Sequence, residues 1–421
     1  MIGIAILVIF LVFAGLMISG RLPALLSLPL MALSIALVAG IPGSEIISEV
    51  IEAGVLRLSS AYVSVIFGAI LGQVMMTTGI TEKIIKKAAE LGGENRTLVS
   101  IVMCAATALL FTTLSGLGAI IMVGSIVLPI LATVGVPAMV AAGSFLLSIG
   151  CGMAVNLTNW AYWTTLTNIQ LSDIRGFSLV VVALTAMTAL VYLFVELRRA
   201  ENSRTAAWAM PASGEEIRSD APWYSLITPL IPLVLVLGFK LPIVTAFICG
   251  IAYALLTTSR SVAQFVNTFS RCAFKGVSDA APAVMLMISI GMVLKAVMHP
   301  AVAEALTGPL SAILPRGAVG YVLFFSVLAP LALYRGPLNM YGLGSGIVSL
   351  LSGLGVLPPL AITAGFLATE RMQVIGDPTN THNVWVANFT KVDVDKLTLK
   401  LLPYLWVLTA AVAVVAAIMF M

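Results

Sequence analysis

The chain has 421 residues, of which 60% are hydrophobic and 10% charged, with a mean hydropathy of +1.10. Such a composition excludes a soluble globular protein and requires a polytopic helical membrane protein. The formal net charge of +4 gives no sign of a nucleic-acid partner, and the four cysteines (Cys104, Cys151, Cys249, Cys272) lie in or beside apolar runs without metal-ligand spacing, so neither disulfide nor metal centre is expected.

In chain order, apolar runs predict full crossings near 2–19, 24–41, 58–78, 137–168, 177–196, 224–239, 241–258, 278–298, 358–392 and 401–420. Ile2–Ser19 lacks a basic leader and is read as the first crossing, not a cleaved signal peptide. Two hairpins are expected, at 98–135 and 318–356; the first has arms long enough to be two short spans instead, and either form returns to its starting side. The fourth and ninth crossings exceed one ordinary span and contain polar breaks. The polar stretch Glu196–Pro222 reads as a central linker, which divides the chain into 1–196, a cytoplasmic linker 197–222, and 223–421.

The second hairpin carries the strongest local signal, Leu333-Tyr334-Arg335-Gly336-Pro337-Leu338-Asn339. Its arms of roughly 15 residues reach about 22 Å as helix, short of a full crossing, which argues for a re-entrant hairpin with its turn near mid-membrane. Gly336 and Pro337 are expected to stop the helix. An arginine at that depth costs about 2.5–3.5 kcal/mol against lipid, so Arg335 should face a polar cavity and hold an anion. The bland alternative pairs Arg335 with Glu370. The first tip, Thr112 to Gly118 with Ser115 and Gly116, is neutral.

The breaks read Asn156-Leu157-Thr158-Asn159 and Gly376-Asp377-Pro378-Thr379-Asn380-Thr381-His382-Asn383. Pro378 opens the helix, freeing carbonyls for a cation and N–H groups for an anion. Ser115, Gly116, Asn159, Arg335, Gly336, Pro337, Asn339, Thr379 and Asn380 are therefore the expected substrate contacts, and Asn156, Thr158, Asp377, Thr381, His382 and Asn383 the expected coupling-ion residues. Asp377 and His382 could alternatively carry a proton. Glu370 and Arg371 are adjacent and are each expected to need a separate partner. Asp279 reads as an N-cap, Lys295 as snorkelling, His299 as exposed, and Trp160, Tyr162 and Trp163 as interface anchors or packing residues.

Short matches recur at a shift of 219 to 222 residues: Arg21-Leu22-Pro23 with Lys240-Leu241-Pro242, Gly54-Val55 with Gly276-Val277, Ser115-Gly116 with Arg335-Gly336, Gly124-Ser125 with Gly344-Ser345, and Thr158-Asn159 with Thr379-Asn380. Five crossings per half would invert the second half. Basic residues divide fifteen to four between the two sides, which predicts a cytoplasmic side holding Lys83, Lys86, Lys87, Arg198 and Arg199 and an outer side holding Arg57, Arg175, Lys240, Arg316 and both termini. The expected location is a bacterial cytoplasmic membrane.

The hairpin-then-broken-helix order, repeated with inversion over nearly the whole chain, resembles the ion transporter superfamily. That group includes divalent anion/sodium symporters, citrate–metal transporters, anaerobic C4-dicarboxylate carriers, gluconate permeases and membrane subunits of tripartite carboxylate transporters. The divalent anion/sodium symporters carry Ser-Asn-Thr at both tips; here the tips read Ser115-Gly116-Leu117 and Arg335-Gly336-Pro337, so no ligand set is carried over. The resemblance implies an all-α elevator-type carrier, homodimeric, moving an organic carboxylate by symport with Na⁺ or H⁺. Its alternatives are a cation/proton antiporter and the membrane subunit of a binding-protein-dependent system. No cofactor is expected beyond Na⁺ as a candidate coupling ion. No His-Glu-x-x-His, aspartate pair or Ser–His dyad is present, so no enzyme is expected.

Overall fold

The computed structural model describes residues 2–19, 21–93, 95–202, 221–311, 317–340, 344–355 and 357–421, and the regular elements among them are all helical. Linker residues 203–220 and Arg316, which entered the charge asymmetry, lie outside the described residues.

The first half comprises α1 (Ile2–Ile18), α2 (Ala24–Val38), the helical run α3 (Gly43–Thr77), α4 (Ile80–Gly92), α5 (Arg96–Phe111), α6 (Leu117–Thr133), α7 (Ala138–Met153), α8 (Leu157–Thr167) and α9 (Leu171–Asn202). The second comprises a 3-10 turn (Trp223–Ile227) with α10 (Leu230–Leu237), then α11 (Ile243–Thr258), α12 (Val262–Met298), α13 (Pro300–Ser311), α14 (Gly317–Val327), α15 (Gly344–Leu354), α16 (Pro359–Gly376), α17 (Thr381–Phe389) and α18 (Val394–Phe420). Pro42, Pro137, Pro242 and Pro358 start helices at positions where a missing N–H costs nothing. The one strongly amphipathic helix, α4, buries Ile80, Ile84, Ile85 and Ala88 and leaves Lys86 and Lys87 outward.

Among the described residues, four helical stretches are long and apolar enough to cross a bilayer alone: Gly43–Thr77, Leu171–Ala200, Val262–Met298 and Val394–Phe420. Ala138–Met153 with Leu157–Thr167, bent by 56°, makes a fifth. Several of the other expected crossings, such as 2–19, 24–41 and 241–258, are apolar helices of 15 to 17 residues. The eighth is longer than expected, because α12 runs 37 residues and starts well before position 278. Asp279 consequently sits inside α12, and the helix is capped instead by Ser261, whose hydroxyl accepts from the Gln264 N–H.

The bounds of α2, α3 and α4 recur in α11, α12 and α13 at shifts of 219 to 221 residues, whereas α6 and α15 begin 227 residues apart. The contacts between α3 and α12 match too. A Cβ added at Gly54 would lie 2.8 Å from Met292 Cα, and one added at Gly276 would lie 2.7 Å from Ile70 Cα. Each pair is the other's counterpart, and rising numbers in α3 meet falling numbers in α12. The two helices therefore pack antiparallel about a local two-fold, with glycines where the backbones touch.

Around this pair gather α1, α2, α10 and α11; a second group forms where α7 packs on α5, α9 and α16, and α16 on α18. His299 and Lys295, at the end of α12, are not free at an interface. Lys295 Nζ lies 3.0 Å from Glu49 Oε2 and His299 Nε2 3.2 Å from Glu45 Oε2.

Candidate functional site

The breaks are built around one side chain each. Asn156 is fully buried. Its amide donates to Phe111 O and Leu114 O, both at 2.9 Å, and its Oδ1 accepts from the N–H groups of Thr158 (2.9 Å) and Asn159 (3.3 Å) and from the Thr158 hydroxyl. It thus caps α8 and ties the break to the first tip. Asp377 does the same for the second tip. Its Oδ1 accepts from Tyr334 N (3.0 Å), Thr379 N (2.9 Å) and Thr379 Oγ1 (2.7 Å), and its Oδ2 accepts from Asn339 Nδ2 (2.9 Å) and, at 3.5 Å, Arg335 N. The Met340 N–H donates to Gln373 Oε1 at 2.8 Å, a second tie between tip and break.

The second hairpin differs from its expected form. Its first arm stops at Val327, continues as a 3-10 turn Ala329–Ala332 around Pro330, and runs as irregular chain through Met340. The helix therefore ends ahead of Pro330, not at Gly336-Pro337, because Pro330 has no N–H to give the Ser326 carbonyl, which accepts from Trp406 Nε1 instead. Gly336 has a different role. A Cβ there would sit 2.2 Å from Leu331 O, so only glycine lets the tip fold back on its own carbonyls. Tyr334 and Arg335 are both left-handed, at φ +52° and +56°. Two consecutive non-glycine residues in that region store strain that the Asp377 bonds hold in place.

The tips and the second break, with α1, α2 and α12, border a cavity of about 700 Å³, lined among others by Ser115, Gly116, Arg335, Asn380, Thr381 and His382. Such a volume suits a small-molecule ligand. The Arg335 guanidinium has no carboxylate within 4.0 Å among the described residues; only the residue's backbone N–H reaches Asp377. Glu370 is not its partner: that carboxylate accepts from Asn159 Nδ2 (2.8 Å) and Trp163 Nε1 (3.1 Å) and lies 3.1 Å from Arg371 NH2. Glu370 and Arg371 thus pair with one another despite being adjacent, and both are buried. Arg371 also donates to Gly150 O.

The other expected residues divide. His382 lines the cavity with its Nε2 2.8 Å from Val374 O. Asn383 is buried and donates to Asp377 O at 2.9 Å, Asn339 is buried in the tip, and Thr379 is exposed with its hydroxyl on Asp377. Trp160, Tyr162 and Trp163 are buried, so they neither anchor at an interface nor line the cavity. Thr158 and Asn159 open onto a side chamber of about 150 Å³, which shares Ser115, Gly116, Met153 and Ala283 with the main cavity. Sequence reasoning passed over Gln373, which ties the tip, and misplaced Asp279, which lines the side chamber.

No protein-family model matches the chain, and neither does any curated protein. Solved structures do. The YdaH transporter of Alcanivorax borkumensis, whose topology is described as unusual, superposes with a TM-score of 0.62 at 16% identity, over 89% of this chain and 87% of that one. MtrF of Neisseria gonorrhoeae, described within a class of antimetabolite efflux pumps, superposes with a TM-score of 0.61 at 14% identity, over 89% and 83%. The chain has the fold of membrane transporters. Neither of these neighbours is an enzyme.

Proposed function

We propose that this chain is a secondary active transporter that moves a small organic carboxylate, such as citrate, a C4-dicarboxylate or a sugar acid, in symport with Na⁺ or H⁺. The observation that carries the reading is Arg335: a guanidinium without a carboxylate partner among the described residues, lining a cavity between the two hairpin tips. A half-buried cation of that kind is stabilised by an anion from solution, and a planar fork grips a carboxylate through two parallel bonds. The neighbours' printed descriptions, one a transporter and one of an efflux-pump class, support transport and leave its direction to experiment.

Inverted repeats fit the antiparallel, two-fold-related packing of α3 on α12. If both helices cross the bilayer, the axis relating them lies in the membrane plane. On that reading the tips enter from opposite faces, α5–α9 with α14–α18 form a moving body, and α1–α3 with α10–α12 form a fixed scaffold through which a homodimer would assemble, in a bacterial cytoplasmic membrane with both termini outside. Labelling of a cysteine placed at Lys86 by an impermeant reagent in intact cells would contradict this sidedness.

The decisive test is thermal stabilisation of purified protein by a panel of carboxylates. A ligand at a hundred times its Kd should add about 2.7 kcal/mol. Arg335→Lys should keep the fold and weaken the responding ligand roughly ten- to a hundredfold, since an ammonium offers a point charge where the fork made two bonds. Unchanged affinity in Arg335→Lys and Arg335→Gln would remove Arg335 from the substrate site.

A further inference from the structure

The side chamber holds a carboxylate that the tip-and-break ties do not use. Asp279, midway along α12, lines it together with Thr158, Asn159 and Ser115. Gln73 Nε2, from α3, donates to Asp279 Oδ2. A Cβ at Gly118 would lie 3.5 Å from the same oxygen, so the first turn of α6 faces the carboxylate. No basic side chain among the described residues lies within 4.0 Å of Asp279.

Two buried amide oxygens lack donors, one on Asn159 of the lining and one on Gln73, which touches the chamber only through Asp279. Asn159 is 3% exposed, and its Nδ2 is committed to two acceptors, Glu370 Oε1 at 2.8 Å and Met153 O at 3.2 Å. The amide orientation is therefore fixed by its partners, and Oδ1 is left buried with no donor. Gln73, 1% exposed, turns its Nε2 to Asp279, and its Oε1 is likewise without a donor. Stranding a buried acceptor costs about 1–3 kcal/mol. The Thr158 hydroxyl gives its proton to Asn156 Oδ1, so its lone pairs remain for another partner. Asp377, by contrast, already accepts five hydrogen bonds from the tip and break.

We propose that this chamber, formed by Asp279 with Asn159, Thr158 and Ser115, binds the coupling cation, a monovalent alkali ion with Na⁺ preferred. One carboxylate among neutral hard oxygens is a ligand set for Na⁺ and lacks the charge a divalent ion would want. Asp279 and Gln73 belong to the α3–α12 pair, whereas Asn159, Thr158 and Ser115 belong to the first hairpin and break. An ion held by both would fasten them together beside the substrate cavity, which couples its binding to any movement between them. This deepens the transport reading and rests on it.

The test needs no transport. Melting of substrate-free protein is followed against NaCl, LiCl, KCl and choline chloride at constant ionic strength. Wild type should show a saturable Na⁺-dependent rise absent with choline. Asp279→Asn should abolish it, Asn159→Ala should raise the midpoint concentration about tenfold, and Asp279→Glu, which guards against simple misfolding, should keep a saturable response at altered affinity. An unchanged Na⁺ response in folded Asp279→Asn, or no alkali-ion response in wild type, overturns the proposal. Carboxylate uptake into proteoliposomes separates the two readings. Uptake that survives in Asp279→Asn with its sodium dependence intact removes the cation site and leaves the transporter. Sodium binding at Asp279 without movement of any carboxylate does the reverse.

Discussion

The two hairpin-and-break units solve one problem with opposite hydrogen-bond polarity. In the first, a neutral amide, Asn156, reaches the tip and donates to carbonyls of Phe111 and Leu114. In the second, a carboxylate, Asp377, sits at the matching place and accepts from the tip's N–H groups and from Asn339. The exchange of one atom forces the rest. A tip that offers carbonyls inward can keep ordinary dihedrals and place its positive-φ residue on a glycine, Gly116 at φ +86°. A tip that offers consecutive N–H groups inward must turn Tyr334 and Arg335 left-handed, and the same turn carries Arg335 to the cavity lining. The neutral lock is a hinge pin. The charged lock also aims an arginine.

The sharpest way to break this comparison is to remove each lock. Asp377→Ala removes a fully buried carboxylate and deprives the Tyr334 and Thr379 N–H groups, the Thr379 hydroxyl and one buried Asn339 proton of their acceptor, and should cost about 3–5 kcal/mol. Asn156→Ala loses a helix cap and two carbonyl partners and should cost about 2–3 kcal/mol. Thermal unfolding of both variants in one detergent gives the order. If Asn156→Ala proves the more damaging, Asp377 is not what holds the strained tip.

Much of this was legible in the sequence because it lies in local chemistry. The breaks announce themselves as polar runs inside apolar ones, and the hairpin tips as glycines and proline between short apolar arms. The match of Thr158-Asn159 with Thr379-Asn380 already paired the two locks. What was not legible is contact across the fold. Glu370 looked like a partner for Arg335 because both are rare intramembrane charges, yet Asn159 and Trp163, some two hundred positions away, occupy it first. Asp279 was mistaken for a cap because the apolar stretch begins near it, whereas α12 starts at Val262 in polar sequence. Its signal was present: a lone carboxylate midway along a helix long and apolar enough to cross a membrane is expensive and asks for a reason.

Exchanging the lock chemistry is a finer probe. Asn156→Asp aims a carboxylate at two carbonyl oxygens, and Asp377→Asn aims an amide proton at the N–H groups and Asn339. Each should cost about 1–3 kcal/mol, from repulsion and from donors or acceptors left unpaired. The double exchange should be additive and not compensatory, because each lock meets only its own tip. Recovery of stability in the double variant would show that the two sites share one polar network.

The smallest effect tests the strain directly, by moving glycine from one tip to the other. Gly116 has nothing within 4 Å of an added Cβ, so Gly116→Ala should lose stability through its backbone conformation alone (φ +86°, ψ +162°, a region open essentially to glycine), about 1–3 kcal/mol. Arg335→Gly removes a side chain from a left-handed residue at φ +56°. Relief of about 1–2 kcal/mol of strain is offset in part by the greater freedom of glycine in the unfolded chain, leaving a gain of roughly 0.5–1 kcal/mol. The signs are therefore opposite, and the second variant should be more stable while it binds no carboxylate. Melting curves of both variants without ligand, and of Arg335→Gly with the responding carboxylate, read out all three expectations. A loss of stability in Arg335→Gly would mean that the guanidinium itself supports the tip, and the strain at Tyr334-Arg335 would then need another purpose than aiming a side chain at the cavity.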